Sequence, residues 1–167
     1  MSDDTTIDTA VKAWIDGVLD TEKAILANQP LDNDGAPKLV APYNTFRAFG
    51  FDGWGKPYQT RPDSNQANAQ SVNYQDYDFT VTVQCVGRNS GQRARKLEAS
   101  ISLESVRVAF ANAGIIPVEQ ISSTDGTGLM DTRWEEKTIV DFRFRMAEGT
   151  AETVGNINTA DIAGTYS

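Results

Sequence analysis

Between Tyr77 and Cys85 the chain alternates apolar and polar residues without a break, reading Tyr77-Asp78-Phe79-Thr80-Val81-Thr82-Val83-Gln84-Cys85. Successive side chains of a strand point to opposite faces, so this run predicts a strand with one buried face and one solvated face. After the turn from Gly87 to Gly91 the period changes. Ala94, Leu97, Ile101, Val106 and Phe110 recur at helical spacing, with a break expected near Ser102. A strand that turns into a helix can lay the helix back on its own apolar face, which is the smallest unit with a core and points to the α+β class.

Other segments supply partners for that unit. Ile7, Val11, Trp14, Ile15, Val18 and Leu19 share one face of an amphipathic helix, with Thr5 and Asp8 spaced as a capping box and Gly17 in the last turn. Trp134 to Met146 predicts a second strong strand: Thr138, Val140, Phe142, Phe144 and Met146 hold one phase, and Lys137, Asp141, Arg143 and Arg145 the other. It should pair antiparallel with Tyr77 to Val86 and bury the same side. A short strand is expected from Lys23 to Asn28. Another is expected from Pro42 to Phe51, covered on both faces because apolar residues occupy both phases. Ile115 to Ile121 reads as an edge strand, since Pro117 cannot donate a ladder hydrogen bond.

Between these elements, Pro30 to Pro37 is turn chemistry, Ser122 to Gly128 reads as a loop, and the pattern vanishes from Asp52 to Asn73, which predicts a long connection. The expected fold is α+β: a mainly antiparallel four- to five-stranded sheet packed by an N-terminal helix and a central helix, with a long loop and a C-terminal arm. Residues 1–149 form a single domain in this reading and 150–167 the arm. A chain of 167 residues can bury such a core without disulfides or metal.

Composition removes most chemistry. There is no histidine, which excludes Ser-His-Asp triads, Cys-His pairs and most zinc or iron sites. The single cysteine, Cys85, falls on the apolar phase of its strand and is expected to be a buried small hydrophobe. Glu135 and Glu136, adjacent on a strand, would point to opposite faces, which is poor geometry for paired acid/base work. Asp32-x-Asp34-Gly35 lacks the further ligands of a calcium loop, and Thr124-Asp125-Gly126-Thr127-Gly128 lacks the lysine and helix of a phosphate cradle. No catalytic set, cofactor or metal is expected; a carboxylate hydrolase assembled from distant Asp and Glu residues is the one catalytic arrangement left open. The net charge of −8 argues against a general attraction to nucleic acid or to an anionic membrane surface. No apolar run approaches the ~18 residues of a membrane span, and the acidic N-terminus is unlike a signal peptide, so the chain is expected to be cytosolic when made.

Two surface features stand out. Arg88, Arg93, Arg95 and Lys96 crowd the start of the central helix, where the macrodipole favours acidic residues. They form either a solvated basic face or the counterpart of an acidic surface, with Asp3, Asp4 and Asp8 of another copy as candidates. Phe51, Trp54 and Tyr58 lie in or beside the glycine-rich stretch after Phe49, either as a local cluster or as part of a subunit interface.

In chain order, the N-terminal helix with Trp14-Ile15-Asp16-Gly17-Val18-Leu19, then Ala27-Asn28-Gln29-Pro30 and Ala41-Pro42-Tyr43, then Gln84-Cys85-Val86-Gly87 before a long helix, and finally Asp131-Thr132-Arg133-Trp134-Glu135-Glu136 leading into Val140-Asp141-Phe142-Arg143-Phe144 form a familiar set. Together they resemble the tailed-bacteriophage neck or tail terminator proteins, over roughly residues 7 to 146. The resemblance implies a small α+β structural subunit with no catalysis. Such subunits form a ring, a hexamer by expectation, that caps the tail tube and stops tube or sheath polymerisation. The ring meets the head connector and leaves a channel that DNA only transits. The implied location is the virion, with assembly in the host cytoplasm. A head-completion or tail-tube protein is the alternative within virions, and a cytosolic module for a peptide or small ligand is the alternative outside them.

Overall fold

The two alternating segments pair as neighbours along their whole length. In the computed structural model, which describes residues 4–20, 24–27, 41–60, 70–130 and 133–153, strand β3 (Gln70–Val86) runs antiparallel to β7 (Lys137–Thr153). Their register sets Phe79 opposite Phe144, Val81 opposite Phe142 and Val83 opposite Val140. Cross-strand partners share a face, so one side of this ladder is a continuous apolar surface. The five-stranded sheet has the order β1-β2-β3-β7-β4, with β1 (Ala24–Leu26), β2 (Tyr43–Thr60) and β4 (Ile115–Asp125). Only the β1–β2 pair is parallel. The expected α+β architecture is therefore what the chain adopts.

Three helices cover the apolar face: α1 (Asp4–Leu19), α2 (Ser90–Ser100) and α3 (Glu104–Asn112). The break expected near Ser102 separates α2 from α3. From α1, Ile7, Val11, Trp14, Ile15 and Leu19 are buried, as their spacing required. Trp14 stands edge-on to Phe142 and Phe110, with centroids 5.1 and 5.7 Å away, and its indole N–H donates to Ser100 Oγ at 3.0 Å. Each fully buried aromatic or aliphatic side chain here contributes about 1.5–3 kcal/mol, which makes this cluster the dominant source of stability. Cys85 is buried among it.

Several boundaries differ from the sequence reading. Thr5 is not a cap but lies inside α1, where its carbonyl accepts the Thr9 hydroxyl. The strand after Pro42 is covered on one face only: Asn44 and Phe46 are buried, whereas Arg47 and Phe49 on the other phase are exposed. Ser122 to Asp125 continue β4 instead of looping, because they pair with β7 as far as Thr138. Trp134 belongs to a separate small hairpin of β5 (Gly128–Met130) and β6 (Arg133–Glu135), not to the long strand. Glu136 lies between β6 and β7 and accepts the Asn89 N–H ahead of α2. The turn residues from Pro30 to Pro37 lie outside the described residues.

The largest correction concerns 52–73. Residues 52–60 and 70–73 are strand: β2 and β3 stay paired to Thr60 and Val72, and β7 follows β3 as far as Thr153 and Gln70. Bulges interrupt β2 between Phe49 and Asp52 and between Trp54 and Tyr58. Gly50 and Gly55, with φ of 67° and 75°, sit inside them in the left-handed conformation that glycine adopts at least cost. These three strands thus project past the helices as a ribbon. β7 carries the backbone through Glu148 to Thr153, so the described part of the expected arm begins as strand, and residues 154–167 lie outside the described residues.

Candidate functional site

The ribbon concentrates the exposed aromatics. From Phe51 to Thr60 every residue of β2 is exposed, including Phe51, Trp54 and Tyr58. Each nevertheless has a cross-strand partner. Phe51 stacks on Phe79 at 5.1 Å, Tyr58 stacks on Tyr74 at 5.4 Å, and the Arg145 guanidinium lies 4.1 Å over the Trp54 ring. Such contacts hold the rings in place while leaving their outer surfaces bare.

Trp54 belongs to a charged grid on the sheet face opposite the helices. Arg145 donates from Nε and Nη2 to the two oxygens of Asp78 at 2.7 and 3.1 Å. This bidentate bond holds the Asp78 carboxyl below the usual carboxylate range. Next to it Arg143 pairs with Glu119 at 2.9 Å, and Asp141 accepts the hydroxyls of Thr82 and Ser122. Alternating charge across β3, β7 and β4 keeps this face soluble and fixes register, without enclosing a site for a reacting group.

The basic residues of the central helix separate into two kinds. Arg88, Arg95 and Lys96 are exposed. Arg93 is 4% exposed and directed inward, where Nη1 donates to the Tyr43 carbonyl and Asn44 Oδ1 at 3.2 and 3.0 Å, and Nη2 to the Val86 carbonyl at 2.6 Å. It ties the start of α2 to β2 and β3, so it serves the fold and offers no charge to a partner. The helical periodicity held the signal for this, since Arg93 stands beside Ala94 and four residues before Leu97 on the buried side. On α1, Asp8 is half-buried and already engaged with neighbouring groups. Asp3 lies outside the described residues, as does the side chain of Asp4.

Sequence reasoning missed other exposed apolar positions. Ile116, Val118 and Ile121 lie along β4, whose outer edge has no strand neighbour among the described residues. At the opposite edge β1 covers β2 only at Asn44 to Phe46, which leaves its remainder unpaired on that side among the described residues. The small hairpin exposes Leu129 and Trp134, the latter at 76%. A groove of about 1100 Å³ also opens between α1 and the α2–α3 pair.

Among the described residues, no cluster of three or more His, Cys, Asp or Glu side chains could hold a metal ion, and no helix is long and apolar enough to cross a membrane. No curated protein matches the chain. A family model described as phage neck terminator protein matches residues 5–167, nearly the whole chain and further than the stretch from 7 to 146 over which the sequence resemblance runs.

Proposed function

The chain belongs to the phage neck terminator protein family and is thus a structural protein of the phage neck and tail, located in the virion and associated with other head and tail proteins; we propose that it acts there as a ring. In this reading identical subunits, six by the family resemblance, close on the end of the tail tube. They stop polymerisation of tube or sheath and present their other side to the head connector.

The family match across nearly the whole chain carries this reading, and the shape of the subunit supports it. Ring closure uses heterologous contacts, in which two different surfaces of one subunit meet their counterparts on the next. The two open sheet edges differ as such contacts require: β4 with Ile116, Val118 and Ile121 on one side, and the aromatic ribbon of β2 on the other. Phe51, Trp54 and Tyr58 are the proposed apolar contacts. Arg88, Arg95 and Lys96 are the proposed basic ones, with Asp3, Asp4 and Asp8 of a neighbour as the acidic counterpart; Arg93 drops out because it is buried. A net charge of −8 suits a channel that DNA passes without being retained. Assembly would take place in the host cytoplasm, with no catalytic step and no cofactor.

Native mass spectrometry and negative-stain imaging, with and without purified tail tubes, test this. The expected result is a closed ring, in solution or at one end of each tube, and tubes of limited length when the protein is present during assembly. A chain that stays monomeric and leaves tube length unchanged would overturn it.

A further inference from the structure

We infer that the groove between α1 and the α2–α3 pair is a socket for residues 154–167 of a neighbouring copy, an exchange that rests on the ring reading above. At about 1100 Å³ the groove exceeds the roughly 300–1,000 Å³ typical of small-molecule sites and is open along its helices, as a chain segment needs. Ala10, Ala13 and Gly17 form one wall and Ala99, Ala109 and Ala113 the other, so a backbone can approach closely. Trp14 and Phe110 lie at its base. Among the described residues that line it, Lys96 alone is charged.

The segment has matching chemistry. Val154, Ile157, Ile162 and Tyr166 are spaced among Gly, Asn, Ala and Thr, and residues 154–167 include no Lys or Arg and one acidic residue, Asp161. An apolar, small-residue chain with one negative charge complements an apolar, small-residue groove with one positive charge.

Distance decides which copy supplies it. Phe110 at the groove base packs on Phe144 of β7 with centroids 5.0 Å apart. From Phe144 the strand runs outward to Thr153 at the ribbon tip, nine residues on, or about 30 Å. Residues 154–167, fully extended, reach about 46–50 Å. Returning to its own groove would consume some two-thirds of that length and leave about five residues to dock. A neighbour placed beside the ribbon tip can receive the whole segment, including Ile157 and Ile162.

Cysteine pairs test the socket in the full chain. Ala109 is exposed on the groove wall and Cys85 is buried, so Ala109→Cys should leave the fold intact and introduce one reactive thiol. Under mild oxidation, on tail tubes if the ring forms only there, the Ala109→Cys/Ile162→Cys variant is expected to give disulfide-linked multimers at least tenfold above either single variant. A mixture of the two single variants should give dimers. Ala13→Cys/Ile162→Cys probes the opposite wall should the first pair misfold. Linkage confined within monomers, or none at all, while rings persist by native mass overturns the socket and leaves the ring reading standing. Loss of rings in the unmodified protein overturns both.

Discussion

Strands β2, β3 and β7 form two regions with the same hydrogen-bonded ladder and opposite surroundings. From Phe79 to Val86 on β3, and from Lys137 to Met146 on β7, one face lies beneath three helices, and Phe79, Val81, Val83, Phe142 and Phe144 are fully buried. Beyond Tyr77 and Met146 the same strands continue with no helix over them among the described residues, and their aromatics are held by contacts across the strands, a stacked ring at Tyr58 and a guanidinium at Trp54. The helix-covered half owes its stability to burial, and the ribbon owes its order to backbone pairing. In the proposed reading, stability and partner contact are thereby divided along one sheet, because a surface kept for a partner cannot also be buried in the core.

The largest effect should come from Phe142→Ala, which removes a ring in contact with Trp14 and is expected to cost about 3–5 kcal/mol in urea denaturation. The same truncation at Trp54 should cost less than about 1 kcal/mol. If the two losses were similar, the ribbon would belong to the cooperative core and the contrast would fail.

Arg93→Met should follow, at about 3 kcal/mol, because it strips hydrogen bonds from the Tyr43 and Val86 carbonyls and from Asn44 where water cannot replace them. Arg95→Glu on the exposed face should leave the melting temperature almost unchanged while weakening self-association measured by light scattering. Gly87→Ala is next, at about 1–3 kcal/mol. Its φ is 91°, and a Cβ would stand 2.8 Å from that of Ala41.

Smaller again is the pH response of the outer grid. The Asp78 carboxyl is held low, first by the Arg145 hydrogen bonds, so its contribution is present above the unfolded carboxylate value of about 3.9 and is lost as pH falls through the lower folded value. Comparing Asp78→Asn with the parent chain by thermal unfolding should show a gap at pH 7 that closes below that range. A gap unchanged down to pH 2 would mean the ion pair does not stabilise this face. Trp54→Ala should have the least effect on folding and a marked effect on ring formation, read by native mass.

The contrast also explains what was legible beforehand. Alternation reports that one face is buried, so β7 from Thr138 to Met146, β3 from Tyr77 to Cys85 and the apolar face of α1 could be read directly. Among the described residues the ribbon buries no apolar side chain that would impose a period, and its bulges at Gly50 and Gly55 shift whatever phase remains, so Asp52 to Asn73 resembled a connection. For the surface, the exposed aromatics and the basic helix start were visible in composition alone. Which arginine is buried was not, because that depends on the carbonyls of Tyr43 and Val86 being brought to one point.

By itself the sequence determined the class of fold, the pairing of its two alternating strands and the family, since periodicity and the order of motifs are properties of one dimension. Only the tertiary structure decided that the strands outrun their helices, that Arg93 is spent inside, and that a groove lies between α1 and α3. These depend on where separate elements stop covering one another. Local pattern carries no record of that, because burial is settled between distant segments.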